Sequence, residues 1–521
     1  MNEEKSKVAE LMAMAGKKEW IGLAVIALPC ILYSMDLTVL NLALPDISAD
    51  LNPSSSELLW IVDIYGFMVA GFLITMGTLG DRIGRRKLLL IGACAFGIAS
   101  VLAAYSKTAE TLIIARAVLG VAGATLAPST LSLIRNMFHN PKQRTIAIGV
   151  WITSYSAGGA IGPLIGGTLL EHFGWGSVFL ISVPVMILLL ILGPLLLPEY
   201  KDPSTGRLDL FSVALSLVAV LSVIFGLKKI AEHGPDLLPV LSIIAGSVVG
   251  IFFLKRQKKL SSSLIDLKLF HAPAFSASLI IYTLVTFVAF GSFVFTFQYL
   301  QLVVGLTPIK AGLWSLPLFF GFIIGSMISP KLVQRLHPSY LIPAGLFLAV
   351  IGFILLTQVH GDSGLTFLVI GSFSYCLGLA PAFTLTTDII VGAAPPEKAG
   401  AAAALSETGS EFGGALGIAI LGSIGSAIYR NHLKSVMPEG VSPDMAEAAR
   451  ETLSSAIVQA DRLSAPLNNL LIAGARNGFI SGMQAVAIIS AAVVFCLAFF
   501  SSKWLSINNQ RSNRKKLTPG E

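Results

Sequence analysis

Apolar residues run along this chain in long stretches, and short polar or glycine- and proline-marked breaks separate them. Fourteen runs are long enough to span a bilayer: 20–43, 58–80, 88–105, 110–131, 145–168, 176–197, 209–228, 238–254, 274–303, 311–332, 340–358, 366–391, 399–428 and 477–501. A helix needs roughly 20 apolar residues to cross the hydrocarbon layer. Within lipid it also pairs every backbone polar group internally. The pattern predicts an all-α polytopic membrane protein. The first run exceeds the roughly 7–15 residues of a signal-peptide core, so it reads as a retained first span.

Charge placement sets the expected orientation. The chain has 521 residues, 54% hydrophobic and only 12% charged, where soluble domains carry about 25% charged residues. Mean hydropathy is +0.79. With the N-terminus inside, cytoplasmic tails and loops hold 26 of the 36 Lys and Arg residues. The short outer loops hold four: Lys107, Lys228, Lys229 and Lys310. This bias predicts an N-in, C-in topology. It also assigns the net charge of +7 to contact with anionic lipid headgroups rather than nucleic acid. Cys30, Cys94, Cys376 and Cys496 lie in apolar runs without metal or redox spacing and read as small buried hydrophobes. The seven histidines show no paired motif, so no metal site is expected.

The organisation reads as a cytoplasmic tail (1–19), a six-span half (20–197), two inserted spans with flanking cytoplasmic loops (198–273), a second six-span half (274–501) and a cytoplasmic tail (502–521). The second half includes an outer connection, 430–476, where AEAARETLSSAIVQADRL suggests an amphipathic hairpin.

Three stretches carry candidate chemistry. Between the second and third spans stand Gly77, Asp81, Arg82, Gly84, Arg85, Arg86 and Lys87. Gly84 suits a tight turn, Gly77 suits close helix packing, and Asp81 suits backbone N–H groups or an arginine. A fainter echo, Gly325 to Arg335, stands at the same place in the second half, as a repeated unit predicts. The fifth span carries Gly158, Gly162, Pro163, Gly166 and Gly167, a small-residue groove for a neighbouring helix with a proline bend. Arg116 is the one basic residue well inside a span, so it should face inward and have a partner.

Acids inside spans are expensive and therefore informative. Asp36 lies in the first span and Asp63 near the outer end of the second. Asp388 reads as a cytoplasmic-edge cap. Glu407 and Glu411, four residues apart, share one helix face in the thirteenth span. Glu407 is about 12 Å into that helix, near mid-bilayer. Aromatics accompany them: Tyr33, Trp60, Tyr65, Trp151, Tyr155, Phe290, Phe293, Phe297, Trp314, Phe319, Phe320 and Phe322. Any that line a cavity suit a lipophilic cation through cation–π contact.

The loop motif G-x-x-x-D-R-x-G-R-R-K, the ARAVLGVAGA segment around Arg116 and the fifth-span G-x-x-x-G-P-x-x-G-G resemble the signatures of the major facilitator superfamily. With MDLTVLNLALP, LLWIVDIYG and the Glu407–Glu411 region, nearly the whole chain resembles a fourteen-span drug:proton antiporter of the quaternary-ammonium efflux type. That resemblance implies the major facilitator fold, a bacterial inner-membrane location and proton-driven export of lipophilic cations by a monomer without a cofactor. It implies Asp36, Asp63, Arg116, Glu407 and Glu411 as the proton-coupling and substrate-binding set. It marks the loop motif as conformational and the fifth-span motif as that of an antiporter. Two departures, Phe322 and Ser406 where some members carry acids, lower the negative charge of the cavity and favour monovalent cations. Two other readings stay open: export of an endogenous metabolite, lipid or peptide, and a non-transporting membrane sensor. No nucleophile–base constellation suggests an enzyme.

Overall fold

The computed structural model describes residues 14–201, 208–234, 236–260, 263–360 and 364–517, and among them no strand occurs. Among the described residues, fourteen helices are long and apolar enough to cross a membrane. The first six are α1 (Lys17–Leu51), α2 (Ser55–Ile83), α3 (Arg85–Ala104), α4 (Ala109–Met137), α5 (Pro141–His172) and the span Ser177–Leu196, a short helix Ser177–Leu180 that continues into α6 (Ser182–Leu196). A pair follows, α7 (Leu210–His233) and α8 (Leu237–Gln257). The last six are α9 (Pro273–Gln298), α10 (Pro308–Leu332), α11 (Pro338–Leu356), α12 (Gly364–Ala393), α13 (Ala399–Ser435) and α14 (Ala465–Leu517). Helix starts carry side chains that take orphan N–H groups, among them Ser54, Thr108, Asn140, Asp209 and Thr307.

Helix ends differ from the apolar pattern. That pattern stops the first span at residue 43, but α1 continues to Leu51 and closes on Asn52 in a left-handed conformation. The pattern also places the last long connection at 430–476. Instead α13 runs to Ser435 and α14 begins at Ala465. Between them stand two short helices, Pro443–Glu451 and Leu453–Ala460. Hydropathy marks where lipid ends, whereas a helix continues until its backbone bonding is interrupted. The Tyr429 hydroxyl donates to the Ala449 carbonyl at 2.7 Å, and the Asn468 amide donates to the Ala460 carbonyl at 2.8 Å. These bonds seat the short helices on α13 and α14. Likewise α14 runs through the expected 502–521 tail as far as Leu517. Of the expected 1–19 tail, residues 1–13 lie outside the described residues, as do 202–207 of the loop before α7. Cys94 and Cys496 are exposed on the bundle surface, not buried; Cys30 and Cys376 are buried.

Packing repeats between the first and last six helices. Gly158, Gly162 and Gly166 of α5 lie on α1, against the Ile31 backbone, Thr38 and Val39. Gly409, Gly413 and Gly417 of α13 lie on α9, against Thr283 and the Phe287 backbone. The two groups meet along two seams. In one, α5 follows α10: Gly149 meets Ser326, Gly159 meets Phe319, and Gly167 meets Ile309. In the other, Gly77 of α2 meets Gly400 and Ala404 of α13.

An even number of spans puts both termini on one face, here called the terminal face. There Asp209 caps α7 and binds Arg256 at the end of α8 at 2.8 Å. The Ser212 hydroxyl, with Arg256, holds the Asp209 carboxyl below the usual carboxylate range. Lys398 donates to Asp266 at 2.5 Å. Partial burial pushes the Asp266 carboxyl up, but Lys398 and the Lys268 N–H outweigh it and leave it lowered. A lowered carboxylate lends stability above its unfolded pKa and loses it as pH falls through the folded value. The difference in Tm between the wild type and Asp266→Asn is therefore expected to be flat from about pH 5 to 8 and to shrink as pH falls below the ordinary aspartate pKa of about 3.9. The pair is worth about 0.5 kcal/mol at the surface, and differential scanning fluorimetry across pH measures it.

Candidate functional site

Three candidate residues of the site meet in a polar network inside the first six helices and α13. Arg116 of α4 is fully buried. Its Nε donates to the Ile61 carbonyl at 2.5 Å, and its Nη1 reaches Asp36 Oδ2 at 3.5 Å. Its guanidinium lies over the Tyr65 ring at 5.3 Å and the Phe179 ring at 6.0 Å. An isolated guanidinium at this depth is costly, and a carboxylate, a carbonyl and two ring faces offset that cost. Tyr65 in turn packs on Tyr33, with centroids 5.9 Å apart. The Tyr33 hydroxyl donates to Glu411 Oε1 at 3.2 Å. Asp36 and Glu411 thus stand at the two ends of one chain of contacts: Asp36, Arg116, Tyr65, Tyr33, Glu411. That chain crosses from α1 to α13.

Glu407, one turn before Glu411, has a buried Oε1 with no hydrogen-bond partner. An unpaired buried carboxyl oxygen is a place for a proton or a cation. Aromatic rings surround the region. Tyr155 lies 5.7 Å from Tyr33 and 4.8 Å from Trp151, while Phe383 packs on Tyr282 and Phe322 at 5.3 and 5.2 Å.

Asp63 does not join this network. It lies towards the other face of the bundle and pairs with Lys228 of α7 at 2.5 Å. Its partner belongs to the α7–α8 pair, which the sequence reading treats only as an insert.

The loop motif closes the terminal face. Asp81 takes the N–H groups of Gly400 and Ala401 at 3.1 and 3.0 Å. It thereby caps the first turn of α13 from α2, where free N–H groups and the helix dipole favour an anion. Arg85 holds Asp81 at 2.7 Å and donates to the carbonyls of Pro396 and Glu397 at 2.7 and 3.1 Å. Arg86 donates to the Pro194 and Leu197 carbonyls at the end of α6. Gly84 adopts φ +112°, a region that only glycine enters without strain, with Glu199 packed against it. Arg82, in the same turn, is half-buried. In the fifth-span motif Gly158, Gly162 and Gly166 face α1, while Pro163 and Gly167 face α10.

Sequence reasoning missed part of this latch. Asp388, read as an edge cap, accepts from Arg144 Nε and Thr145 Oγ1 of α5, each at 2.6 Å. Tyr200 donates to Glu397 at 3.0 Å. An acid and an arginine at matching depth in two spans were the available signal, but nothing in the sequence pairs them.

The helices, seams and interior acids define a multi-pass membrane protein with the architecture of a transporter. Residues 26–418 match the Major Facilitator Superfamily, and the chain belongs to that family, whose members are transporters rather than enzymes. It is similar to the multidrug efflux pump LfrA of Mycolicibacterium smegmatis, 40% identical over 92% of this chain and 95% of that protein. It is also similar to the methyl viologen resistance protein SmvA of Salmonella typhimurium, 36% identical over 92% of this chain and 97% of that protein. The solved structure of the human organic anion transporter MFSD10 (TETRAN) shares the fold, with a TM-score of 0.58 and 13% identity, over 91% of this chain and 99% of that one.

Two outcomes follow for the interior. Removing one member of a buried charge pair costs about 3 kcal/mol because the other is stranded. Arg116→Met is expected to lower Tm strongly, and Asp36→Asn combined with Arg116→Met to recover part of the loss; a double-mutant cycle in detergent measures the coupling. In the latch, Gly77→Leu places a side chain against the Gly400 carbonyl and Ala404 and should cost about 1–3 kcal/mol of closure. With the four native cysteines replaced by serine, labelling of Ser406→Cys, fully buried here, by an impermeant thiol reagent from the terminal face is then expected to rise.

Proposed function

We infer that the protein is a proton-coupled efflux transporter that exports lipophilic cations, quaternary ammonium compounds among them, from the cytoplasm or inner leaflet. The observation that carries this reading is the Glu407–Glu411 pair in α13. One carboxylate is tied across to Tyr33 of α1, and the other has an unpaired buried oxygen. Carboxyls in a low-dielectric chamber can hold protons near neutral pH. A proton and an organic cation then compete for the same oxygens, and the aromatic rings suit the apolar body of the cation. Two relatives named for multidrug efflux and methyl viologen resistance support the class of substrate. Because methyl viologen is a dication, divalent cations belong in the assay beside the monovalent ones that Phe322 and Ser406 favour.

The mechanism follows from the seams. We take the N-terminus as cytoplasmic on the Lys and Arg bias. The terminal face is then the cytoplasmic one, and the Asp81 and Asp388 latches hold it shut. With that face shut, protons reach the acids from the outer side, where they are abundant in an energised bacterial inner membrane. Protonation displaces the cation and neutralises the site, and the two six-span halves then rock to open inward. Arg116 holds Asp36 in place, so protonation of Asp36 loosens α1 from α4. No cofactor is required, since the proton gradient supplies the energy.

The test uses everted membrane vesicles with an established pH gradient. Adding a lipophilic cation is expected to release protons with the wild type. With Glu407→Gln or Asp36→Asn the release is abolished while protein remains in the membrane. Undiminished exchange by both variants sinks the assignment.

A further inference from the structure

The two seams between the first and last six helices are not closed alike. Along α5 and α10, direct contact continues to Gly167 and Ile309, far from the terminal face. Along α2 and α13, the Gly77 contact with Gly400 and Ala404 lies at the terminal end. Further along, α7 packs into the seam. Leu217 and Leu221 of α7 sit on Gly71 of α2, and Ile224 packs with Phe67 and Ala70. Lys228 pairs with Asp63 and lies 4.8 Å from the Phe67 ring centroid.

Behind α7 stands α8, packed on it through Gly226 and Gly246. The outer faces of α8, with Leu241, Ile244, Val248 and Ile251, are exposed and suit lipid.

This arrangement leaves a half-open apolar chamber of about 220 Å³. Its walls include Ala70 of α2, Val220 and Val223 of α7, Gly250 of α8, and Thr408 and Glu411 of α13. It is larger than the ~150 Å³ apolar cavities that hold a benzene ring, yet smaller than the roughly 300–1,000 Å³ of whole ligand pockets. It therefore suits part of a molecule. The one acidic residue in its wall, Glu411, is the residue that Tyr33 ties to the central network. The Glu411 side chain thus lines the apolar chamber wall, while its carboxylate is held on the central side by Tyr33.

We propose that the α7–α8 pair builds an accessory subsite for cationic amphiphiles. The chamber takes the apolar tail, and Glu411 holds the cationic head on the way to the central site. The Lys228–Asp63 pair fastens α7 over the seam at the far end. The proposal rests on the efflux reading for its choice of ligand, but the occupancy of the chamber can be measured without transport.

The probe is an alkyltrimethylammonium with a diazirine at the tail end, photolysed with the full-length protein in liposomes. Labelled peptides are mapped by mass spectrometry. The label is expected on 219–224 and 246–250, with about a tenfold loss in Glu411→Gln, the size of one lost ionic contact. Gly250→Phe, which fills the chamber, is expected to remove it. Gly250→Ala adds a methyl that meets only Ala219, at 3.7 Å, and is expected to retain it. Tm and monodisperse elution of each variant establish folding.

Labelling confined to other helices overturns the proposal. So does equal labelling by the uncharged alcohol of the same chain length, which marks a lipid-tail crevice, or labelling indifferent to Gly250→Phe. Chamber labelling without cation-driven proton release refutes the efflux reading and leaves the subsite standing. Proton release without chamber labelling does the reverse.

Discussion

The first turn of α13 presents backbone N–H groups with no partner in their own helix, and Asp81 of α2 takes two of them. This bond sets the height of everything that follows on α13. Glu407 lies six residues beyond Ala401, about 9 Å along the axis, and Glu411 about 15 Å. Arg85 secures Asp81 and binds the carbonyls just before α13, so the turn between α2 and α3 grips both sides of that helix start. A cap supplied from another helix is also reversible. When α13 tilts away, its N–H groups and Asp81 both lose a partner, but each lies near the membrane surface and can recover water. The contact can therefore close one face of the bundle without fixing it there.

The interior charges obey a stricter rule, because deep in the bundle water does not substitute for a lost partner. Arg116 meets that rule with Asp36, the Ile61 carbonyl and two ring faces. Glu411 meets it with Tyr33. Glu407 keeps one oxygen unmet. Among the acids of the central network, Glu407 is the one with a buried oxygen left unpaired, and the proposed function uses that oxygen.

The cost of burial also decides what was legible in the chain. Asp36, Arg116, Glu407 and Glu411 stood out because charge inside an apolar run is expensive wherever it occurs, so local context was enough. The fourteen spans were legible for the same reason, in reverse. Their ends were not, since Leu51, Ser435 and Ala465 mark where backbone bonding stops, beyond the apolar layer. Partners across the bundle were illegible too. Tyr33 and Glu411 are 378 residues apart, Arg144 and Asp388 are 244 apart, and Asp63 and Lys228 are 165 apart. Each pairing depends on which helix neighbours which, and hydropathy carries no information on that. The glycine spacing of α13 at 409, 413 and 417 mirrors that of α5 and is visible in the sequence, but spacing alone does not say which helix it seats.

That mirrored spacing makes the departures from symmetry meaningful. Both glycine stripes do the same work, seating α5 on α1 and α13 on α9. Only α13 carries acids between its glycines, and only the α2–α13 seam has extra helices packed into it. The two asymmetries fall at one place, because Glu411 lines the chamber that α7 and α8 help enclose. Small residues let α13 pack closely enough to present its acids to the centre, but they leave no bulk with which to fill the space behind. Two inserted helices supply that bulk incompletely, leaving a half-open void beside the Glu411 side chain. A purely structural filler would gain more dispersion contact by closing that void. The void beside Glu411 is therefore the feature of the insert that the proposed subsite explains.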